Sequence, residues 1–214
     1  MWGRKRVIRY DPVSVSLVAL AGFLCLYFAT FETYLLVLFP VVILLISIII
    51  KVYARQQVPV PEDPQISPEE RTEILAHSIF GFIAIGLMGM LIQNFLMPRL
   101  PAVHLLGLPP TLQIAYENLN VKDKMLYGAL MAICEEALFR DALLNFTEKT
   151  FGMLNVLVNG LMFMFYHFAV YGTAIDTLMY VALAGMILAW VTYRTGRITP
   201  AMLTHIMVNV VSTT

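Results

Sequence analysis

The sequence predicts an all-α membrane protein, a polytopic bundle of about seven (six to eight) transmembrane helices. Of its 214 residues, 59% are hydrophobic and only 13% are charged, and the mean hydropathy is +0.77. A soluble domain usually carries about 25% charged residues. A helix needs roughly 20 apolar residues to cross a bilayer core, and most of the long uncharged blocks meet that need. The blocks without Asp, Glu, Lys or Arg are residues 12–31, 33–50, 74–98, 150–175, 177–193 and 198–214.

Residues 1–55 predict an amino-terminal hairpin of two spans. The uncharged block after Asp11 is longer than the apolar core of a signal peptide, and no small-x-small cleavage site follows it. We therefore expect a retained span rather than a cleaved signal. Residues 56–71 are predicted to be a cytoplasmic linker rich in proline and acid. The linker ends in Ser67-Pro68-Glu69-Glu70, the order of a helix N-cap, a first-turn proline and first-turn acids, so a helix is expected to start there.

Residues 72–214 are predicted to form one helical unit. A second break, residues 98–124, is expected to lie outside the membrane and to contain a short amphipathic segment. The fourth span carries "MAICEEALFRDALLNF", residues 131–146, with charged side chains inside an apolar run. Cys25 and Cys134 lie in apolar segments, where we expect both to be buried, and they indicate no disulfide framework.

The distribution of basic residues predicts the orientation of the bundle. With seven spans, ten of them fall on one side and three on the other, so the positive-inside rule places the amino terminus in the cytoplasm and the carboxy terminus outside. The formal net charge is zero, which gives no indication of a nucleic-acid partner. The expected partner is the lipid bilayer. The larger group is Arg4, Lys5, Arg6, Arg9, Lys51, Arg55, Arg71, Lys149, Arg194 and Arg197, and the smaller group is Arg99, Lys122 and Lys124.

Two adjacent glutamates in the fourth span are the first candidate site residues. On a helix, Glu136 and Arg140 lie four positions apart on one face, with the glutamate nearer the N-terminus, which is the favourable order for an ion pair. Glu135 points about 100° away from Glu136, towards Phe139, and so has no built-in counter-charge. Asp141 is expected in the solvated turn at the cytoplasmic end of this helix.

Two later spans carry a second and a third polar pair. Phe163 and His167 lie four residues apart in "FMFYH", and His205 and Asn209 lie four residues apart in "HIMVN". Each pair therefore shares one helix face. An ionisable residue within a membrane helix indicates a functional site by default, although His and Asn also serve in contacts between helices.

Taken in order, the three pairs resemble the motifs of the CAAX-protease and bacteriocin-processing family of intramembrane proteases, also called the Abi family. "EEALFR" fits its Glu-Glu-x-x-x-Arg motif, "FMFYH" its Phe-x-x-x-His motif and "HIMVN" its His-x-x-x-Asn motif. The resemblance covers roughly residues 70–214. It implies a helical fold of eight or nearly eight spans, with a conical polar cavity inside the membrane.

The resemblance also implies a catalytic role for each motif residue. Glu135 would be the general base and, with His167, would activate a water. That water would attack the scissile carbonyl of a membrane-associated or prenylated (CAAX-type) peptide. His205 and Asn209 would stabilise the oxyanion.

Glu136 and Arg140 would orient the site, which agrees with the ion pair expected from their spacing. Phe139 and Phe163 are candidate contacts for the substrate. The motifs favour no cofactor, but zinc stays open, because two Glu and two His can bind it in principle. The chain contains no His-Glu-x-x-His sequence and Asn is a poor zinc ligand, so metal-free hydrolysis is the leading interpretation.

Two other functions remain open at this point. The first is a catalytically silent membrane scaffold or bacteriocin-immunity-type protein of the same fold, which the intact motifs disfavour. The second is a small transporter or proton relay. The short chain and the lack of an inverted repeat disfavour it.

Overall fold

The computed structural model describes residues 8, 11–29, 34–57, 66–92, 94, 110–171 and 175–213. The elements formed by these residues are helices, which confirms the predicted all-α fold. A π-helical stretch, Ala137–Leu143, joins α5 to α6, and a 3-10 turn, Gly152–Leu154, joins α6 to α7. The α-helices are α1 (Pro12–Ala29), α2 (Tyr34–Gln57), α3 (Pro68–Leu91), α4 (Pro110–Glu117), α5 (Val121–Glu136), α6 (Leu144–Phe151), α7 (Asn155–Tyr171), α8 (Ile175–Thr195) and α9 (Thr199–Val211).

The bundle has the composition of an integral membrane protein. Within the described ranges, four helices are long and apolar enough to cross a bilayer, namely α1, α2, α3 and α8. Large apolar side chains cover their outer faces: Phe23 is 70% exposed, Ile49 66% and Met90 63%. Such surfaces suit contact with lipid rather than with water. Helix α7 has 17 residues and α9 has 13, so the total of about seven spans stays a prediction.

The start of α3 has the predicted cap. The Ser67 hydroxyl accepts a hydrogen bond from the Glu70 backbone N–H at 3.2 Å, and the Glu70 carboxylate accepts one from the Ser67 N–H at 2.8 Å. Pro68 occupies the first helical position. The other Glu70 oxygen pairs with Nη2 of Arg197 at 2.9 Å, so the same glutamate ties α3 to the turn between α8 and α9.

Some predicted features lie outside the described residues. They are half of the linker, at 58–65, the basic residues 4–6 and 9, and the first part of the break predicted at 98–124, with Arg99. In the part of that break which the structure describes, α4 is a short helix, and the amphipathic character expected for this segment stays a prediction.

The amino-terminal hairpin packs against the helix that carries the glutamates. Phe28 of α1 and Ile43 of α2 share one buried apolar core with Leu130 of α5. Because lipid tails are as apolar as these side chains, close packing holds such helices together rather than the exclusion of water. A polar contact adds to it, since the Thr199 hydroxyl donates to Oδ1 of Asp11 at 2.6 Å and links the start of α9 to the start of α1.

The helix of the glutamates is not regular throughout. The residue spacing predicted an α-helix past Arg140, but the residues after Glu136 form the π-helical stretch. Turns of this kind are uncommon and occur frequently at functional sites. Asp141, predicted in a solvated turn, is buried in this stretch at 3% exposure and pairs with Lys51 of α2 at 2.6 Å. That prediction was wrong because the charges near Asp141 in the sequence do not reveal a partner on a distant helix.

Two glycines let α7 and α8 approach closely beside the site. A Cβ added to Gly160 would lie 2.4 Å from Cγ of Met186, and one added to Gly185 would lie 3.0 Å from the Phe163 ring. Small residues at such crossings are typical of membrane bundles, where they allow backbones to come together. The crossing fixes the position of Phe163, one turn before His167.

Candidate active site

Glu136 and Arg140 form a buried ion pair at the end of α5. Oε2 of Glu136 lies 3.2 Å from Nε of Arg140, as the spacing predicted, and neither side chain is exposed. Nη2 of Arg140 also donates to the Gly185 carbonyl at 3.1 Å, and the guanidinium lies 4.3 Å from the centre of the Phe163 ring. Removing one partner of a buried pair leaves the other charge uncompensated. The two side chains therefore act as one structural unit.

His205 of α9 contacts both glutamates. Its Nδ1 lies 2.8 Å from Oε1 of Glu136, which is a hydrogen bond, and its Nε2 lies 3.7 Å from Oε2 of Glu135. An ionised carboxylate only accepts hydrogen bonds, so Nδ1 of His205 carries the hydrogen in the first contact. This arrangement directs Nε2 towards Glu135.

His167 of α7 approaches the same carboxylate from another side. Its Nε2 lies 3.9 Å from Oε2 of Glu135, and its Nδ1 lies 2.9 Å from the Phe163 carbonyl oxygen. Because a carbonyl oxygen accepts, Nδ1 donates in this contact, and Nε2 of the neutral ring is left as an acceptor. The ring packs edge-on against Phe163 at 4.3 Å and parallel to Tyr171 at 5.6 Å, which fixes its orientation.

Glu135 is the residue on which these groups converge. It is 5% exposed, and in the part of the chain that the structure describes no Lys or Arg forms an ion pair with it. The Tyr166 hydroxyl donates to its Oε1 at 3.3 Å. Sequence reasoning gave Tyr166 no such role, because it occupies a variable position of the Phe-x-x-x-His motif, where the motif specifies no side chain.

A cavity of about 280 Å³ opens beside these side chains. Four of the six predicted catalytic residues line it, namely Glu135, His167, His205 and Asn209, whereas Glu136 and Arg140 lie behind its wall. The rest of the lining is mainly aromatic and apolar, and it includes the small hydroxyl side chains of one serine and one threonine. Those residues are Leu36, Phe39, Tyr116, Tyr127, Gly128, Met131, Tyr166, Tyr171, Ser212 and Thr213.

The remaining predicted residues border the cavity in different ways. Nδ2 of Asn209 donates to the Gly128 carbonyl at 3.0 Å, which uses one of its two amide hydrogens. Phe139 and Phe163 are buried and stack edge to face at 5.0 Å. They contact Tyr166 and His167 from behind rather than line the cavity, and their role as substrate contacts stays a prediction.

The site contains carboxylate and imidazole groups, which are side chains that zinc can bind in principle. Zinc takes nitrogen and carboxylate ligands at about 2.0–2.2 Å in tetrahedral geometry. Among the residues that the structure describes, no group of three or more His, Cys, Asp or Glu has a spacing that fits a metal ion. His205 and His167 also use their Nδ1 atoms in hydrogen bonds to Glu136 and Phe163. Zinc therefore stays an untested alternative to metal-free hydrolysis.

Comparison with known families finds a similarity in the carboxy-terminal part of the chain. Residues 121–211 match a family model described as "Type II CAAX prenyl endopeptidase Rce1-like". The family resemblance is confirmed for this segment. The Rce1-like match runs from the first residue of α5 to the last residue of α9 and includes all three motif pairs.

The Rce1-like segment covers less than half of the chain, and the amino-terminal hairpin and α3 lie outside it. No curated protein and no solved structure matched the sequence. The chain is therefore a helical membrane protein, and its carboxy-terminal segment resembles a family of prenyl endopeptidases.

Proposed function

We propose that this chain is an intramembrane endopeptidase that hydrolyses a peptide bond of a membrane-associated or prenylated (CAAX-type) peptide. The observation that carries the proposal is the position of the Glu135 carboxylate. One of its oxygens faces Nε2 of His167 at 3.9 Å and Nε2 of His205 at 3.7 Å, on the wall of a cavity. Both separations exceed a direct hydrogen bond, so a water on the cavity side can contact the carboxylate and a ring nitrogen together.

In this mechanism, Glu135 and His167 activate the water. One water hydrogen points to the Glu135 carboxylate, and the other points to Nε2 of His167, which the contact at Nδ1 leaves as an acceptor. As the water oxygen attacks the carbonyl carbon, its proton passes to Glu135 and a tetrahedral oxyanion forms. Glu135 then gives that proton to the leaving amine, and the C–N bond breaks.

Asn209 and His205 are the proposed donors to the oxyanion. The second amide hydrogen of Asn209 is the simpler donor, because the first is used on Gly128. His205 donates from Nε2 only when both of its ring nitrogens carry hydrogen, since Nδ1 already donates to Glu136. The Glu136–Arg140 pair holds the His205 ring in place without contacting the substrate.

The aromatic lining supports a lipid-modified or apolar peptide as the substrate. Tyrosine side chains and Met131 around the cavity present apolar surface with few charges apart from the proposed catalytic groups. The test uses the purified protein in liposomes with two peptides of one sequence, one farnesylated at its cysteine and one not. Mass spectrometry of the products should find cleavage of the farnesylated peptide by the wild type and none by His167→Ala.

Equal cleavage of both peptides would redirect the substrate assignment to membrane-associated peptides in general. A wild type that cleaves neither of these nor any member of an apolar peptide library would favour the non-catalytic alternative, a scaffold or immunity-type protein of the same fold.

A further inference from the structure

The π-helical stretch presents backbone carbonyls to side chains of two neighbouring helices. The Ser47 hydroxyl of α2 donates to the Ala137 carbonyl at 2.8 Å, and Nδ2 of Asn159 in α7 donates to the Phe139 carbonyl at 2.7 Å. Both donors are buried. A π-helix pairs its carbonyls differently from an α-helix, and buried backbone groups need partners, so these donors stabilise an uncommon geometry.

Helix α2 meets this stretch with a second, charged contact. Nζ of Lys51 lies 2.6 Å from Oδ2 of Asp141, which is 3% exposed. Ser47 and Lys51 are four positions apart on one face of α2, and their partners Ala137 and Asp141 are also four positions apart. One face of α2 thus contacts the stretch near both of its ends.

The π-helical stretch is connected to the proposed active site through the side chain of Arg140. Arg140 lies between the two contacted residues, and its guanidinium holds Glu136, which in turn holds Nδ1 of His205. A shift of the stretch along α2 would therefore move Arg140 and, through it, the ring that faces Glu135.

We propose that Ser47 and Lys51 are positioning residues, which hold the π-helical stretch so that Arg140 and Glu136 orient His205. This inference rests on the proposed function. Both residues belong to the amino-terminal hairpin, outside the segment 121–211 that matches the endopeptidase family. On this proposal, the hairpin helps to position the active-site residues in addition to spanning the membrane.

The test compares Ser47→Ala and Lys51→Met with conservative variants and a matched control. Ser47→Thr keeps a hydroxyl and Lys51→Arg keeps a cation, so both should retain the wild-type kcat to within about twofold. Ser78→Ala is the control, because Ser78 is equally buried and its hydroxyl also donates over 2.8 Å, but to Ile74 within α3. Melting temperatures in detergent are measured for all five variants.

Ser47→Ala and Lys51→Met are expected to lower kcat roughly tenfold, with KM unchanged, because small misplacements of catalytic groups cost about one to two orders of magnitude in rate. Ser78→Ala should leave both constants at wild-type values. A wild-type kcat in Ser47→Ala and Lys51→Met overturns the proposal. The proposal is also overturned if Ser78→Ala loses kcat to a similar extent and if the loss in each variant follows its fall in melting temperature.

Hydrogen–deuterium exchange separates this proposal from the proposed function. Ser47→Ala and Lys51→Met should speed exchange of the amides at 137–144, while Ser78→Ala should not. If the wild type cleaves no peptide, the proposed function fails and the exchange result alone decides whether α2 holds the stretch. Unchanged exchange at 137–144 in both variants overturns the positioning role.

Discussion

Nδ1 of His205 lies 2.8 Å from Oε1 of Glu136, and this contact joins α9 to the end of α5 inside the buried part of the bundle. The same glutamate pairs with Arg140 through its other oxygen. Neighbouring glutamates therefore have different surroundings: Glu136 faces a guanidinium and an imidazole within the protein, and Glu135 lines the cavity.

Glu135→Gln and Glu136→Gln should separate chemistry from stability. Replacing Glu136 leaves Arg140 buried without its counter-charge, and such a loss costs about 3–5 kcal/mol. Replacing Glu135 breaks no pair with Lys or Arg in the described structure and should cost about 1 kcal/mol or less. Chemical unfolding in detergent measures both. Equal destabilisation by the two variants would contradict the division of roles between the glutamates.

Tyr166→Phe should slow catalysis without unfolding the protein. The change removes only the hydroxyl that donates to Oε1 of Glu135 at 3.3 Å, and the ring that stacks on Phe39 is kept. One such hydrogen bond is worth about 1 kcal/mol, or roughly fivefold in kcat. Tyr180→Phe, which removes the same atom in α8 away from the cavity lining, is the control. Identical kinetics for the two variants would show that Tyr166 only fills space.

Asn209→Ala should reduce kcat far more than it reduces stability. Loss of one oxyanion donor typically costs about 10²–10³ in kcat, while the lost bond to the Gly128 carbonyl is worth about 1 kcal/mol. Steady-state kinetics and thermal unfolding are measured on the same preparation. A large fall in melting temperature together with a small change in kcat would assign Asn209 to helix packing instead.

Gly160→Ala should destabilise the bundle by forcing α7 and α8 apart. The added methyl group would lie 2.4 Å from Cγ of Met186 and 2.9 Å from the Ala182 carbonyl oxygen. Overpacking of this kind costs about 1–3 kcal/mol. Gly86→Ala is the matched control, because nothing lies within 4 Å of its added Cβ. A melting temperature for Gly160→Ala as high as that for Gly86→Ala would mean that the crossing is looser than described.

Much of the site could be predicted from the sequence, because several of its contacts join residues that are only three or four positions apart. The Glu136–Arg140 pair and the cap formed by Ser67 and Glu70 both depend on residues within one helical turn. The motif order also indicated that His167 and His205 belong with Glu135, although only the fold brings them within 4 Å of it.

The parts that sequence reasoning missed depend on contacts between distant helices. The π-helical stretch has no signature in its own residues, since its carbonyls meet donors from Ser47 and Asn159. The burial of Asp141 likewise follows from Lys51, which lies on a helix of the hairpin. Local sequence patterns predict which residues share one face of a helix. They do not predict which residues of a distant helix will pack against that face.

The most direct test of the central claim is cleavage of a farnesylated peptide by the wild type and by Glu135→Gln, each with and without a strong chelator. The variant keeps the size of the side chain but cannot take up the proton of the attacking water. The mechanism predicts cleavage by the wild type at the same rate with and without chelator, and a loss of at least about 10²-fold in Glu135→Gln. Cleavage by Glu135→Gln at the wild-type rate would contradict the assignment of the base, and complete inhibition by the chelator would contradict metal-free hydrolysis.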